Sequence, residues 1–346
     1  MSETAISHTV LASLNHLKDD PLYKTERPYE VWLDKVPEGL PKTNVQFELQ
    51  HNVPVVDARS VGLETFKIEE HGFQFLEQPF PTHFTISGSD AANSTSEQRE
   101  IILGYLEHMG DFLCTSLGGE RAVCYDWRVR RSRNSPVNKI PRIYTVPDEI
   151  DARKITIDVA HQVHAGMCKD GSPNGIKKSL SYLLSEEEAT EIRQGRCRLR
   201  VINLWRPLVP TVTSQPLALC DRRSVCGSDW EEVEKLQTQW VEESMYLRRN
   251  PEHQWFWISN QTRDEVTAFV VWDSLDPDNV AASVPHCSFK LPDQEALGMP
   301  RESIEGSQVE LNPLGVPDGQ NHNTCTPLLS NNFIRKTSRS SRFRTW

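Results

Sequence analysis

An apolar run in the middle of the chain is the first indication of the fold: Arg198-Leu199-Arg200-Val201-Ile202-Asn203-Leu204-Trp205. Its odd and even positions both carry apolar side chains, so both faces of an extended strand would be buried. A second run has the same property: Thr267-Ala268-Phe269-Val270-Val271-Trp272-Asp273. Strands that are apolar on both faces are typical of a sheet that is covered on both sides. The two runs therefore predict central strands of such a sheet.

Amphipathic helices are predicted around these strands. One helix places its apolar residues on a single face at helical spacing: Ile101, Ile102, Tyr105, Leu106, Met109, Phe112 and Leu113. A shorter helix has Ser185 as its N-cap, Glu188 completing a capping box, and Gly195 as its end. Further helices are predicted from Ser172 onward and over residues 229–249.

These elements predict an α+β chain that is mainly β. Strands with helices packed outside favour a distorted double-stranded β-helix, the cupin-like jelly roll, with flanking helices. The length of 346 residues suits one large domain. We predict a single domain over residues 1–305, followed by a polar and basic tail over 306–346. This tail has too few apolar residues to form a core, so we expect it to be disordered.

Charge and composition exclude several classes of protein. The formal net charge is −10, whereas nucleic-acid binders carry a basic face, so we expect no nucleic-acid partner. No run of about 18 apolar residues occurs, so we expect no membrane span. The N-terminal residues lack the pattern of a signal peptide, and the eight cysteines form no CxxC pair. These features predict a cytoplasmic protein with reduced thiols.

Two histidine-containing segments are candidates for metal binding. The first is His161-Gln162-Val163-His164 with Asp170 nearby, and the second contains His286. A facial triad of two imidazoles and one carboxylate leaves one side of an iron ion open for a co-substrate and oxygen. In jelly-roll oxygenases the second histidine follows about a hundred residues after the first, as it does here. Arg301 follows His286 and could hold a carboxylate with a bidentate guanidinium. Spacing alone leaves open which histidines bind, and whether any does.

Motifs along most of the chain resemble a known family. They are Val55-Val56-Asp57-Ala58-Arg59, Asp126-Trp127-Arg128, Ile202-Asn203-Leu204-Trp205-Arg206-Pro207-Leu208, Asp221-Arg222-Arg223-Ser224-Val225, Val284-Pro285-His286 and Pro300-Arg301-Glu302-Ser303-Ile304-Glu305. They span roughly residues 12 to 305 and together are far more specific than one motif. On these segments the chain resembles the fungal hydroxylase/desaturase family of the AsaB type, which includes a gibberellin desaturase and cephem-methoxylase-related proteins.

The resemblance implies a non-haem Fe(II) enzyme that uses 2-oxoglutarate and O2. Its metal site is built from a His-x-Asp motif and a Pro-His element, and His286 matches the second. At the first, Gly166 stands where the carboxylate is expected, two residues after His164. An insertion near 166–169 would make His164, Asp170 and His286 the metal ligands, with His161 as the weaker choice of imidazole. The alternative is a His-x-Gly site with an open iron position, which resembles that of iron halogenases.

Three residues are candidates for binding 2-oxoglutarate. Arg301 is the expected carboxylate clamp, and Arg206 and Asn203 lie in a strongly matching segment. Arg206 could instead form a buried ion pair with Asp221. Relatives continue after the match to Glu305 with an apolar strand, whereas this chain continues with Gly306-Ser307-Gln308. We therefore expect that strand to be lost.

The predicted function is an Fe(II)/2-oxoglutarate-dependent oxygenase that hydroxylates or desaturates a small molecule, in fungal secondary metabolism. We expect no catalytic side chains beyond the metal ligands. The replaced carboxylate leaves two alternatives: a catalytically impaired jelly-roll binding protein and an iron halogenase-like enzyme. The basic tail suggests a third, an interaction module.

Overall fold

β-Strands make up most of the elements in the computed structural model of the chain. The structure describes residues 9–33, 36, 38–39, 41–82, 84, 96–132, 158–166, 183–236, 241–275, 283–291 and 300–314. The predicted helix from Ser172 and the residue Asp170 lie outside this part. So does the tail from residue 315 onward.

Nine strands form one sheet in the order β1-β3-β11-β8-β13-β6-β10-β9-β2. Their bounds are Thr9–Leu17 (β1), Tyr29–Val31 (β2), Phe47–Asp57 (β3), His164–Ala165 (β6), Leu217–Cys220 (β8), Trp230–Leu236 (β9), Val241–Leu247 (β10), Trp255–Trp257 (β11) and His286–Ser288 (β13). Isolated bridges also join β1 to the far part of the sheet, between Asn15 and Gln162 and between Leu17 and Arg248. The nine-stranded sheet is therefore strongly curled.

Five strands form the second sheet in the order β4-β12-β7-β14-β5. They are Phe73–Glu77 (β4), Arg121–Arg131 (β5), Cys197–Pro207 (β7), Glu265–Asp273 (β12) and Glu302–Pro313 (β14). The two apolar runs of the sequence are β7 and β12, and their central position is as predicted. Four α-helices accompany the sheets: Ala58–Val61 (α1), Ile68–His71 (α2), Ser96–Leu117 (α3) and Glu186–Arg193 (α4).

The five-stranded sheet is covered on both faces, as the apolar pattern predicts. Ile202 and Leu204 of β7 pack under α3 together with its residues Leu106 and Met109. The opposite face of β7 carries Trp205, which packs with Phe269 of β12 and with residues of the nine-stranded sheet, Leu217 and Leu219. This second face of the five-stranded sheet therefore faces the interior between the two sheets.

Of two helices predicted from the sequence, the structure confirms one and contradicts the other. The helix over 186–193 is confirmed, with a capping box in which Ser185 and Glu188 each accept from the other's backbone N–H. The helix predicted over 229–249 is wrong, because this segment forms β9 and β10, paired in antiparallel register. In β10, Met245 and Leu247 pack in one core and Tyr246 in another. Successive side chains of a strand point to opposite faces, so a strand can bury Met245, Tyr246 and Leu247 in two cores. A helix would bury the residues of one face only.

The expectation that a strand is lost after Glu305 is also wrong. β14 runs from Glu302 through Gly306 to Pro313 and lies between β7 and β5. Gly306 faces α3, where an added Cβ would lie 3.3 Å from Leu106. The glycine therefore lets helix and sheet approach closely rather than ending the strand. The boundary predicted at residue 305 falls inside this strand.

A buried ion pair joins β7 to β14. Arg200 and Glu310 stand directly opposite each other in the two strands and are both fully buried. Arg200 donates to both carboxylate oxygens, with Nε–Oε2 and Nη2–Oε1 distances of 2.7 and 2.8 Å. Glu69 also contacts Arg200 from α2. Removing one partner of such a pair destabilises the protein strongly, because the other partner is left as a buried charge without water.

Glu310→Gln should lower the free energy of unfolding by about 3 kcal/mol, the lower end of the range for breaking a buried pair, because Glu69 still contacts Arg200. Urea denaturation measures this change. The matched control is Glu191→Gln, which removes an exposed carboxylate paired with Arg196. Exposed pairs contribute little, so the control should leave the stability almost unchanged. Equal effects of the two substitutions would contradict the structural role of Glu310.

Candidate active site

Two histidines meet where β6 pairs with β13. His164 and His286 are directly opposite each other in this antiparallel register. Residues opposite each other in a sheet share a face, and His286 is also opposite Leu219, which packs toward the five-stranded sheet. The His286 ring is 4.6 Å from Phe269 of β12, measured between ring centroids. Both imidazoles therefore point into the interior between the sheets.

Both rings have Nδ1 hydrogen-bonded to the backbone, which leaves Nε2 toward that interior. Their centroids are 4.4 Å apart and their planes meet at 51°. In each ring Nδ1 donates to a backbone carbonyl two residues earlier, His164 to Gln162 at 2.8 Å and His286 to Val284 at 2.9 Å. Because a carbonyl only accepts, the proton of each neutral ring lies on Nδ1. The Nε2 lone pairs are left for a metal, with the ring orientation fixed as in known metal sites.

Both histidines are held in the neutral form that metal binding requires. Loss of hydration, and next the neighbouring His286 ring, lower the pKa of His164 well below its ordinary value. Burial also lowers the pKa of His286, although the charge of Glu305 and the bond to the Val284 carbonyl oppose this shift. A protonated imidazole cannot ligate a metal, so these shifts favour ligation at neutral pH.

The described residues supply only these two candidate ligands. Across the described ranges, no group of three His, Cys, Asp or Glu side chains is arranged to hold a metal ion. Gly166 lies two residues after His164, and a Cβ there would be 3.2 Å from Cγ1 of Val271. The third ligand expected from the sequence, Asp170, lies outside the described part. The two imidazoles fit an iron site with two protein nitrogens and further positions open.

Arg301 lies between the two sheets next to this pair. It is 2% exposed, and its guanidinium carbon lies 5.4 Å from the Trp205 ring centroid. Nη1 donates to the Gln215 carbonyl at 2.7 Å and to Ser288 Oγ at 3.3 Å. Ser288 and His286 are two residues apart on β13, so they share a face. Arg301 and the histidines therefore line the same interior.

The charge of Arg301 is not neutralised by the residues that the structure describes. None of their carboxylates pairs with it, and its buried Nε has no hydrogen-bond partner. Burial, and next the nearby Arg130, lower the pKa of Arg301 to about 9, against the effects of Glu305 and Asp158. A buried cation without a counter-charge is costly unless an anion joins it. The site therefore fits a ligand that carries a carboxylate.

Ser303 is a residue that our sequence analysis missed. Its buried Oγ has no hydrogen-bond partner either. Ser303 follows Arg301 by two residues, so the two side chains lie on the same face of the chain. This spacing was visible in Arg301-Glu302-Ser303 and could have identified the hydroxyl. Two buried polar atoms on one face that lack partners among the described residues fit a carboxylate group that could satisfy them.

The structure does not bring Arg206 to the histidines. It is opposite Ile304, which packs under α3 on the other side of the sheet. There Arg206 donates to the Arg263 carbonyl at 2.6 Å and to Gln78, and contacts Met109. The alternative ion pair with Asp221 is absent as well, because Asp221 accepts from Arg223. A structural role thus accounts for the burial of Arg206.

Asn203 lies on the interior face of β7, away from Arg301. Its Nδ2 donates to Glu305 Oε1 at 3.0 Å, and its Oδ1 accepts from Ser307 at 2.8 Å. His161, the weaker candidate ligand, is placed with Nδ1 3.4 Å from the Ser288 carbonyl. The interior thus combines two imidazoles, one unneutralised guanidinium and a separate polar group around Glu305.

The site agrees with comparisons to known proteins. A family model described as an oxidoreductase/YMDC permease-like domain matches residues 14–308. The chain belongs to this family. The chain is also similar to the hydroxylase/desaturase EfuI of Hormonema carpetanum, with 29% identity over 73% of this chain and 81% of the relative. The gibberellin cluster GA4 desaturase of Gibberella fujikuroi is 36% identical over 40% of this chain and 47% of the relative. The predicted resemblance to fungal hydroxylases/desaturases is confirmed.

A solved structure confirms the predicted fold of this oxidoreductase-family chain. The iron and alpha-ketoglutarate-dependent endoperoxidase NvfI superposes with a TM-score of 0.66, covering 88% of this chain and 99% of that chain at 23% identity. The mainly β jelly roll with flanking helices is thereby confirmed. Among the described residues, no helix combines the length and apolar character needed to cross a membrane.

The histidine pair generates a direct test. His164→Ala and His286→Ala should each abolish binding of Co2+ or Fe2+, because each removes one of two converging Nε2 atoms, while circular dichroism stays unchanged. Isothermal titration under anaerobic conditions measures the binding. The matched control is His161→Ala, which removes a nearby imidazole from outside the pair and should retain the metal. Metal binding that depends on His161 instead of His164 would overturn this assignment.

Proposed function

We propose that the chain is an Fe(II)/2-oxoglutarate-dependent oxygenase that hydroxylates or desaturates a small organic molecule. The observation that carries the proposal is the buried Arg301, whose Nε and whose neighbouring Ser303 Oγ lack hydrogen-bond partners beside two neutral histidines. A dicarboxylate such as 2-oxoglutarate can occupy both halves of this site. Arg301 would hold one carboxylate, and the 2-oxo acid end would serve as a ligand to the iron that His164 and His286 would hold.

The relatives support the same chemistry. The Fe(II)/2-oxoglutarate-dependent dioxygenase NvfI of Aspergillus novofumigatus is 27% identical over 74% of this chain and 81% of the relative. When bound, iron with 2-oxoglutarate and O2 supplies the oxidation of an unactivated C–H bond, and the protein supplies binding and orientation. His164 and His286 would hold the metal through Nε2. Arg301 and Ser303 would hold the co-substrate, and Trp205 and Phe269 would exclude water from the interior.

Two further observations bear on the substrate and the location. The apolar side chains of Trp205 and Phe269 beside the polar site favour a small organic molecule of fungal secondary metabolism. Cys114, Cys220, Cys226 and Cys287 form no disulfide with another described residue, which fits a reducing compartment such as the cytoplasm.

Arg301→Lys should weaken 2-oxoglutarate binding by about 1.5–3 kcal/mol, the usual contribution of a charge-assisted hydrogen bond. Lysine keeps the charge but loses the planar pair of donors. Anaerobic titration of the Fe(II) protein with 2-oxoglutarate, followed by the weak visible charge-transfer band of the chelate, measures the affinity. Arg206→Lys is the matched control, because it alters an equally buried arginine on the far face of the sheet. It should reduce stability without changing the affinity. An unchanged affinity in Arg301→Lys would contradict the clamp.

The third metal ligand needs its own experiment. We propose that Asp170 supplies it, so Asp170→Ala should weaken Fe2+ binding at least about tenfold, as even outer-shell changes at metal sites do. In the Asp170→Ala protein, the further substitutions Gly166→Asp and Val271→Ala should restore Fe2+ binding. Alanine at position 271 makes room for the aspartate side chain, because a Cβ at position 166 would otherwise lie close to Val271. If Asp170→Ala leaves iron binding intact, the open His-x-Gly arrangement is favoured, and chloride-dependent halogenation becomes the reaction to assay.

A further inference from the structure

A polar cluster lies on the interior face beyond the proposed co-substrate site. It consists of Asn203, Glu305, Ser307 and Arg130, and we call it the Glu305 cluster. Ser307 Oγ donates to Asn203 Oδ1 at 2.8 Å, and Asn203 Nδ2 donates to Glu305 Oε1 at 3.0 Å. Arg130 Nε lies 4.0 Å from Glu305 Oε2, and its Nη1 donates to the Asp158 carbonyl at 3.2 Å.

Strand register places the Glu305 cluster inside the molecule. Glu305 stands opposite Trp205, and Ser307 stands opposite Asn203, in the pairing of β14 with β7. Since paired residues share a face, Glu305 lies on the side where Trp205 packs against the nine-stranded sheet. The neighbouring positions of β14 point the other way, because Ile304 packs under α3. From Arg301, just before β14, and along the strand, the interior face therefore carries Arg301, Ser303, Glu305 and Ser307.

The cluster has hydrogen-bonding capacity beyond its internal contacts. A carboxylate offers about four acceptor sites, and an amide nitrogen carries two hydrogens. The contacts of Glu305 and Asn203 use only part of that capacity. Glu305 can thus accept from a further group, and Asn203 can donate to one. A hydroxyl is both donor and acceptor, so it matches this combination.

The charge and the surroundings of the Glu305 cluster narrow the chemical class of its ligand further. Arg130 and Glu305 together carry no net charge, so the cluster does not call for an ionic partner. The aromatic rings of Trp205 and Phe269 line the interior near it. A few polar groups beside apolar side chains can fix the orientation of a ligand through one or two hydrogen bonds.

We propose that the Glu305 cluster binds a hydroxyl group on the organic substrate, whose remaining skeleton is uncharged and apolar. This inference rests on the proposed function. Arg301 and Ser303 hold the co-substrate, and the Glu305 cluster, further along the same strand, holds the hydroxyl of the second molecule. The hydroxyl orients the substrate and thereby selects which carbon faces the metal.

The experiment compares two compounds of similar size, cyclohexanol and methylcyclohexane. Each is titrated anaerobically into the full-length protein loaded with Fe(II) and 2-oxoglutarate, and the shift of the charge-transfer band gives the apparent dissociation constant. The unmodified protein should bind the alcohol at least about tenfold more tightly, because a hydrogen bond to a charged acceptor contributes that much. In Glu305→Gln, titrated at saturating Fe(II) and 2-oxoglutarate, this preference should fall about tenfold.

Glu302→Gln is the matched control. It makes the same chemical change on the same strand, but its carboxylate pairs with Arg131 and lies on the other face. It should keep the preference for the alcohol. Should Glu305→Gln fail to fold by circular dichroism, Asn203→Ala replaces it, since it removes the amide that donates to Glu305.

The outcomes separate the two proposals. Without a charge-transfer band in the unmodified protein, the proposed function fails, and this inference fails with it. With a band but no preference for the alcohol, only the hydroxyl subsite is overturned. A preference that persists in the folded Glu305→Gln or Asn203→Ala protein overturns it as well.

Discussion

The candidate site depends on one structural constraint, the antiparallel pairing of β6 with β13. β6 is only two residues long, and one register pair joins it to β13, yet that pair sets His164 opposite His286 and turns both rings toward the five-stranded sheet. A shift of β6 by one residue would turn His164 into the apolar core where Ala165 now packs, away from His286. The position of every other interior residue is then defined relative to this pair.

Three buried arginines illustrate how the fold separates structural charge from functional charge. Arg200 is matched by Glu310, and Arg206 is surrounded by carbonyl groups and Gln78. Arg301 has only two donor contacts, through Nη1, and no carboxylate partner among the described residues. Desolvating a cation is costly, and the first two arginines recover that cost within the protein. The third would recover it only when an anion binds.

Local pattern predicted the elements with strong periodicity and failed where tertiary contacts decided. α3 and the central strands follow from apolar spacing, which reflects burial against one or two neighbouring layers. The segment over 229–249 was interpreted as a helix, but pairing with neighbouring strands overrode its helical spacing. Gly306 suggested the end of a strand, yet it marks the close approach of α3 to β14.

The sequence by itself determined the fold class, the family and the candidates His164, His286 and Arg301, because these depend on residue type and order. Only the tertiary structure decided which side chains share the interior. It turned Arg206 toward α3 and revealed Ser303 and the Glu305 cluster. The physical reason is that adjacent residues of a strand point to opposite faces, so the face of each residue depends on a register that long-range pairing sets.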